Sequence, residues 1–298
     1  MAELPAHLGD VRPELFAAPP RVWEKLRAAV HAALAADPQR TSAFTDAIAA
    51  TVPIAEALDA GSATDEQRAT WEFLDEVAFR DVRQRLGLDQ CRVGVVMGAP
   101  VGADLLAWFH AIGVPLFNGY GLSETTAGVC VHERYAKNGS AGRPFPGIEI
   151  RLAADGEILV RGGGVFRGYL DDPAATAAVL DPDGWLHTGD VGTIDADGDL
   201  AITDRKKELI ITSGGENIAP SALELALERI ELIGTARVVG DNRPYITALV
   251  ALDPDTAPDW ARSQGIEYGT LADLTPTMKL KRRGIQSCYA TEIEALYH

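Results

Sequence analysis

The stretch NGYGLSETT, residues 118–126, follows an apolar segment and combines a bendable backbone with polar side chains. Its two glycines let the backbone pass close to a flat ligand, and Tyr120 between them offers an aromatic face on which a base can stack. Ser123 can donate a hydrogen bond to a phosphoryl oxygen, and the carboxylate of Glu124 suits a hard cation such as Mg²⁺. A surface turn with incidental polar residues is the competing interpretation. The stretch alone does not decide between the two.

The residues before this stretch predict a strand, a helix and a second strand. Residues 93–97 form a short apolar run that ends in Gly98-Ala99-Pro100, which is typical of a buried strand followed by a turn. A helix is predicted over residues 105–112, and residues 114–117 begin the second strand. This spacing indicates parallel strands, and ligands of open α/β sheets bind beyond the carboxyl ends of such strands. The two glycine-bearing turns are therefore expected to face one crevice.

The N-terminal part of the chain, residues 19–86, is rich in alanine and predicts helices. Apolar residues recur there at steps of three and four, which indicates one buried helix face. Pro53 is expected to interrupt this helical region. The residues expected on the buried face are Trp23, Leu26, Val30, Leu34, Trp71, Leu74, Val77 and Ala78.

Short strands and turns are predicted after residue 139. Asp-Gly pairs between alternating apolar residues indicate hairpins, and one helix is predicted over residues 173–180. From residue 209 the pattern predicts a strand, a Gly-Gly turn, a helix and two further strands. The charged run at residues 204–208 separates the two regions, so we expect domains at 1–203 and 204–298.

Composition limits the classes of function. The chain has 298 residues, with 27 Lys and Arg against 43 Asp and Glu, and a formal charge of −16. This charge argues against a nucleic-acid-binding protein. The three cysteines are far apart, which favours reduced thiols in a cytoplasmic protein. No secretory signal and no transmembrane stretch are predicted, whereas peripheral contact with a membrane is compatible with the sequence.

Three further stretches could carry chemistry. In DGWLHTGDVG, residues 183–192, Asp190 lies between glycines and could accept hydrogen bonds from two ribose hydroxyls, whereas His187 beside a tryptophan is interpreted as structural. In residues 204–220, Arg205 could bind a sugar or phosphate, and Gly-Gly allows close backbone approach.

The charged residues around these positions have simpler interpretations. Glu216 and Asn217 precede a predicted helix, so capping is the simplest explanation for them. In LTPTMKLKRR, residues 274–283, a solvated basic face competes with a role for Lys279 as a point charge beside a phosphoryl group.

Together and in this order, these stretches resemble the adenylate-forming (AMP-binding) enzymes, which include acyl-CoA synthetases, firefly-type luciferases and peptide-synthetase adenylation domains. GSAGRPFPG at residues 139–147 and GEILVRGGGVFRGY at residues 156–169 also fit that family, and APPRVWEKL at residues 18–26 resembles its long-chain fatty-acyl branch. The resemblance implies an α/β (α+β) fold. Residues 1–203 would be part of a large domain, with an α/β sheet lobe and a small β-rich lobe, and residues 204–298 a small, mobile α+β domain.

The resemblance implies a two-step ligase reaction. A fatty acid would attack the α-phosphate of Mg²⁺-ATP to give an acyl-adenylate and pyrophosphate, and coenzyme A would then take the acyl group and release AMP. Ser123 would touch the phosphate, Glu124 would hold Mg²⁺, and Lys279 would bridge carboxylate and phosphate. Asp204 would be the hinge of the small domain. The residues implied around the nucleotide are Gly98, Ala99, Pro100, Asn118, Gly119, Tyr120, Gly121, Asp190 and Arg205, and those near the thiol are Gly214, Gly215 and Glu216.

Two departures from the family pattern limit this expectation. The Ser/Thr/Gly-rich phosphate loop ending in Pro-Lys is absent from residues 1–298, and the stretch between Gly269 and Leu274 is shorter than in relatives. The sequence therefore predicts a truncated ligase with weak or no activity. The alternatives are a non-catalytic adenylate-binding module and a partner chain that completes a split ligase.

Overall fold

The computed structural model describes residues 4–132, 140–230, 232–253, 256, 257, 260, 262 and 289–297. The chain divides into two units, Met1–Ile202 and Thr203–His298, beside the boundary expected from the charged run. Several residues named above lie outside the described part: Gly139, the stretch between Gly269 and Leu274, Lys279 and Cys288.

Helices make up most of the N-terminal part of the first unit. Their starts carry the expected signals: Asp37 accepts hydrogen bonds from two first-turn amides, and Thr64 forms a capping box with Gln67. No described helix combines the length and apolar character needed to cross a membrane. The helices are α1 (Leu4–Val11), α2 (Pro20–Leu34), α3 (Pro38–Asp59), α4 (Asp65–Leu74), a π-helical segment (Asp75–Phe79), α5 (Arg80–Leu86), α6 (Ala103–Ala111) and α7 (Pro173–Val179).

The main core forms where these helices meet. Trp23, Leu26 and Val30 are buried on one face of α2, as their spacing predicts, and Leu34 is partly buried. The Trp23 ring meets Phe109 of α6 edge to face, with centroids 4.9 Å apart. Such aromatic pairs add about 1 kcal/mol beyond the area that they bury.

Two expectations for the helical region are wrong. Helix α3 continues through Pro53, because residues on both sides of the proline, including Ala47 and Ile54, bury one face against the core. Val77 is 61% exposed rather than buried. The π-helical segment has one extra residue in its turn, so Asp75 and Phe79 are buried instead of Val77.

The first unit contains a five-stranded sheet, whose strands are β1 (Leu15–Ala18), β2 (Val93–Val96), β3 (Leu116–Tyr120), β4 (Cys130–Val131) and β5 (Arg143–Pro144), in that order. Strands β2 and β3 are parallel and joined by α6, which confirms the predicted crossover unit. β1 pairs in parallel with β2. The sequence pattern did not indicate β1. Cys91 and Cys130 are buried free thiols.

The remaining strands of this unit form an antiparallel sheet in the order β6 (Ile148–Leu152), β7 (Glu157–Gly162), β8 (Leu186–Ile194) and β9 (Leu200–Arg205). The Asp-Gly turn before Leu200 is a hairpin, as predicted, because Asp195 accepts hydrogen bonds from the amides of residues 197 and 199. The guanidinium carbons of Arg151 and Arg161 lie over the Trp185 ring, at 4.2 and 4.5 Å from its centroid.

The second unit begins within β9. Helix α8 binds the edge of β12 through its acidic side chains: buried Glu224 accepts hydrogen bonds from Arg237 Nη1 and Val238 N, both at 2.9 Å. α9 is held by the ion pair of Arg243 and Glu294. The elements are β10 (Ile210–Ile211), β11 (Asn217–Ile218), α8 (Pro220–Glu228), β12 (Ile233–Val239), β13 (Thr247–Leu252) and α9 (Ala290–Ala295), with β10–β11 and β12–β13 antiparallel.

Candidate functional site

The carboxyl ends of β2 and β3 place the two glycine-bearing turns at one edge of the parallel sheet. Val96 pairs with Asn118, so the exposed turn Gly98-Ala99-Pro100 begins beside the end of β3. The Asn118 side chain donates a hydrogen bond to Ser140 O at 2.8 Å, which joins β3 to the chain before β5. Both turns thus lie at the sheet edge where the crossover unit predicts a crevice.

The glycines of this edge have a structural reason that the sequence did not reveal. A Cβ on Gly121 would lie 2.1 Å from the carbonyl oxygen of Ala127, and a Cβ on Gly119 would lie 3.2 Å from Val95 Cγ1. Gly121 therefore permits close packing of protein backbone against protein backbone. Ala127 and the preceding Thr126 have positive φ angles, 71° and 54°, so this loop is strained as well as tightly packed.

Tyr120 and Asp190 are in direct contact. The Tyr120 hydroxyl donates a hydrogen bond of 2.7 Å to Asp190 Oδ2, although the two residues are 70 positions apart in the chain. Tyr120 is 8% exposed and Asp190 is 4% exposed. The five-stranded sheet and the antiparallel sheet therefore each contribute one side chain to the same buried polar pair.

A turn at the centre of β8 supports Asp190. Thr188 Oγ1 donates to Ile158 O at 2.8 Å and accepts from Asp190 N at 3.1 Å, while Gly189 adopts a φ of 71°. Buried Glu157 accepts the Gly189 N–H at 2.9 Å.

His187 contacts the same carboxylate. Its Nδ1 lies 3.3 Å from Glu157 Oε2, which supports the structural interpretation of His187. Sequence reasoning missed Glu157, whose only signal is an acidic residue at the start of an apolar strand.

The segment after β3 forms a single 3₁₀ turn, Ser123–Thr125, that presents Ser123 to solvent and leaves Glu124 partly buried. Glu124 Oε1 accepts a hydrogen bond from the Tyr169 hydroxyl at 2.9 Å. This bond to a carboxylate raises the pKa of Tyr169 above its usual value.

Glu124 fits a site for Mg²⁺. It offers a hard carboxylate oxygen ligand on a partly exposed turn, and Mg²⁺ is often bound through one or two carboxylates together with phosphates and waters. Tyr169 was overlooked as a functional residue, although it closes the quoted stretch GEILVRGGGVFRGY.

The second unit holds the remaining predicted residues. Asp204 is 5% exposed and accepts hydrogen bonds from Arg205 N, Ser221 N and Ser221 Oγ, so its carboxylate caps the first turn of α8. Glu216 and Asn217 do not cap that helix, contrary to expectation. They lie in the β10–β11 hairpin, where Glu216 N donates to Thr212 Oγ1. Gly214, Gly215 and the side chain of Arg205 are exposed.

Two family descriptions match the chain in succession. The description "AMP-binding enzyme" matches residues 2–170, and "AMP-binding enzyme C-terminal domain" matches residues 207–268. The first match contains the Tyr120 edge and Glu124, and the second contains the Gly-Gly hairpin and α8.

Several proteins of known name are similar to the chain. Long-chain-fatty-acid–CoA ligase FadD15 of Mycobacterium tuberculosis is 36% identical over 98% of the chain and 56% of its own length. O-succinylbenzoate coenzyme A synthetase of Bacillus subtilis, solved with ATP and a magnesium ion, superposes with a TM-score of 0.51 over 66% of the chain and 43% of its own, at 29% identity. The A-PCP didomain of carboxylic acid reductase from Segniliparus rugosus, solved with AMP, has a TM-score of 0.64 over 99% of the chain and 43% of its own; at 20% identity it supports the fold alone.

The relatives are longer than the chain. It spans 60% of the length of one curated fatty-acid–CoA ligase and 56% of FadD15. The alignment with FadD15 runs over 337 positions, more than the 298 residues of the chain, so that relative has residues within the aligned region that this chain lacks.

Proposed function

The chain belongs to the AMP-binding enzyme family, and from this premise we propose that it is an ATP-dependent acyl-CoA ligase of the fatty-acid type. In this proposal a long-chain fatty acid is activated as an acyl-adenylate and passed to coenzyme A. The names of curated relatives such as FadD15 support this substrate class. We propose a cytoplasmic setting, in which both cosubstrates are available.

The contact between Tyr120 and Asp190 carries the proposal. A Tyr120 ring at the end of β3 can stack on adenine, while its hydroxyl fixes one oxygen of Asp190. A carboxylate has about four lone-pair sites, so Asp190 can accept further hydrogen bonds from the ribose hydroxyls. Asn118 and the turn Gly98-Ala99-Pro100 would line the adenine pocket on the same sheet edge.

Glu124 and Ser123 are the proposed contacts to the reacting phosphate. Mg²⁺, held by Glu124, would supply positive charge to the phosphate oxygens as negative charge develops there. The exposed hydroxyl of Ser123 would donate a hydrogen bond to a phosphate oxygen and so orient it for in-line attack by the carboxylate. The thiol of coenzyme A would then displace AMP from the acyl-adenylate.

The second unit would serve both steps by turning about a hinge at Asp204. In the first step Lys279 would bridge carboxylate and phosphate, with Arg205 on the ribose. In the second step Lys279 would leave the site, and the exposed turn at Gly214, Gly215 and Glu216 would take its place beside the thiol. The capping bonds from Asp204 to Ser221 would move together with α8 during this reorientation.

We propose that the ligase activity of this chain is weak or absent. Within the aligned region the chain lacks residues that FadD15 has. A shortened second unit would present Lys279 poorly to the nucleotide.

The test measures binding and turnover on the same preparation. Isothermal titration calorimetry with AMP is expected to give saturable binding that Asp190→Ala abolishes, because the carboxylate for the ribose is removed. A coupled pyrophosphate-release assay with palmitate, ATP and coenzyme A is expected to give little or no turnover. Robust palmitoyl-CoA formation would contradict the proposed loss of activity, and absence of AMP binding would refute the adenylate site.

A non-catalytic adenylate-binding module is the second candidate. The observation that favours it is the Tyr120–Asp190 pair, which is proposed to bind the nucleotide and takes no part in the transfer steps. AMP binding without any turnover would support it. Turnover that appears only after a second chain carrying a phosphate loop is added would instead support a split ligase, in which this chain is one partner.

A further inference from the structure

Three contacts join the loop at residues 162–169 to the turn that carries Glu124. The Tyr169 hydroxyl donates to Glu124 Oε1 at 2.9 Å, and the Phe166 amide donates to the carbonyl oxygen of Glu124 at 2.8 Å. Thr126 Oγ1 donates to Gly164 O at 2.8 Å. One segment thus holds the backbone and the side chain of the same acidic residue.

From this geometry we propose that Tyr169 is a positioning residue for Mg²⁺, acting through the carboxylate of Glu124. The inference rests on the proposed function, in which Glu124 is the metal ligand. Tyr169 itself does not touch the cation or the nucleotide in this proposal.

The chemistry of the contact supports this role. A glutamate side chain on a partly exposed turn has several rotamers, and fixing it at the moment of metal binding costs conformational entropy. The phenol holds Oε1 through a charge-assisted hydrogen bond, which leaves Oε2 to meet a cation. Groups that hydrogen-bond to metal ligands in this way orient the ligand and raise metal affinity.

Tyr169 is itself well anchored. Its amide donates to Thr176 Oγ1 of α7 at 2.9 Å, and its ring meets Phe166 edge to face with centroids 4.9 Å apart. A Cβ on the preceding Gly168 would lie 2.7 Å from Thr176 Cγ2, so the loop packs closely on α7. The phenol is therefore presented from a rigid support, as an orienting group requires.

The experiment compares ATP affinity with and without the metal in Tyr169→Phe. Calorimetry gives the dissociation constant of ATP in excess Mg²⁺ and in EDTA, and the ratio of the two reports the contribution of the metal. We expect wild type to bind ATP more tightly with Mg²⁺, and Tyr169→Phe to reduce that ratio by about 10-fold. AMP affinity in EDTA should be unchanged, because Tyr120 and Asp190 remain intact.

Two further variants, Glu124→Gln and Thr126→Val, separate the outcomes. Glu124→Gln should remove the Mg²⁺ dependence altogether, and a wild type without Mg²⁺-dependent ATP binding would refute the proposed function itself. Thr126→Val, which loosens the same loop without touching Glu124, should lower the ratio less than Tyr169→Phe.

A normal ratio in a folded Tyr169→Phe variant would overturn the inference about Tyr169 and leave the proposed function standing. An equal loss of ATP and AMP affinity in both media would likewise overturn it, since that pattern indicates only a structural role.

Discussion

At the scale of single residues, the bond from Tyr120 to Asp190 connects stability to the proposed nucleotide binding. Tyr120→Phe keeps the ring for stacking and removes the donor to a buried carboxylate. We expect the free energy of unfolding to fall by about 1–3 kcal/mol in urea titrations, because the carboxylate loses a hydrogen bond that water cannot replace. AMP affinity should also fall in calorimetry, since Asp190 is no longer oriented.

The matched control for this substitution is Tyr245→Phe in the second unit. Tyr245 is exposed and donates to Leu296 O, so its hydroxyl has no link to Asp190. AMP affinity should be the same as in wild type. If Tyr120→Phe binds AMP as tightly as this control does, the phenol has no part in orienting Asp190.

Cys130 makes stability depend on alkaline pH. Burial and the nearby charge of Asp199 raise the pKa of this thiol from its ordinary value of 9.0 to about 12. Below pH 9 the thiol is protonated in both states and adds no pH dependence. Between pH 9 and about 12 the unfolded chain releases the proton and the folded chain keeps it, so unfolding becomes easier as pH rises. The loss is on the order of 1 kcal/mol per pH unit.

The comparison that isolates this effect uses Cys130→Ala. Urea unfolding at pH 8 and at about pH 10 should show a steeper loss of stability in wild type than in the variant. Lysines and tyrosines titrate in both proteins and cancel in the difference. Identical losses would mean that the folded state accommodates the Cys130 thiolate.

Sequence reasoning singled out some residues of the candidate site and missed others. The resemblance to the adenylate-forming enzymes implied that Tyr120 and Asp190 lie around one nucleotide, and the structure places the two side chains in contact. Glu157 and Tyr169 could not be predicted, because their partners Gly189 and Glu124 lie 32 and 45 residues away. Nothing in the local pattern around an acidic or aromatic residue indicates such distant partners.

At the scale of elements, Pro53 marks a helix that packing keeps intact against its local preference. A proline inside a helix costs about 3 kcal/mol relative to alanine, of which about 1 kcal/mol is offset by the stiffer unfolded chain. Pro53 is exposed, so Pro53→Ala leaves no cavity. We therefore expect the variant to be about 1–2 kcal/mol more stable in urea unfolding.

Pro38, at the first position of the same helix, provides the control. No intrahelical bond needs an amide hydrogen there, so Pro38→Ala should leave stability unchanged or slightly lower. Equal effects of the two substitutions on stability would show that a proline at position 53 does not destabilise the helix. The expectation for Pro53→Ala would then be wrong.

Sequence reasoning missed β1 and the π-helical segment, because both are set by packing with other parts of the chain rather than by a local pattern. β2, α6 and β3 follow from local periodicity and glycine turns, and the structure contains them within a few residues of the predicted bounds. β1 is a four-residue strand defined by pairing with β2, about 80 positions later. The π-helical segment is likewise set by packing, since burial of Asp75 and Phe79 replaces the expected Val77.

At the scale of the whole molecule, the two units each have their own packing. We expect calorimetry to resolve two unfolding transitions. Phe109→Ala should lower the first unit's transition, because it opens a cavity worth about 3–5 kcal/mol in the core of that unit. Asp204→Ala should lower the other transition by about 1–3 kcal/mol, because two donors of Ser221 lose their acceptor. A single transition shifted by both variants would contradict this expectation.

The charged run at residues 204–208 lies directly after the start of the second unit at Thr203. The fold class was predictable from sequence, because strand–helix–strand and hairpin patterns follow each other along the chain. The capping role of Asp204 was not predictable, since its partner Ser221 lies beyond an intervening hairpin.

The bond between Tyr120 and Asp190 also has a consequence for the order of folding. Residues separated by 70 positions must meet before it forms, and closing a loop of this length costs about 4 kcal/mol of chain entropy. A folding intermediate with only the helical core assembled therefore lacks this pair, on which the proposed nucleotide site depends. Nucleotide can accelerate only the last stage of assembly, and recovery of binding during refolding should lag behind the recovery of helical circular dichroism.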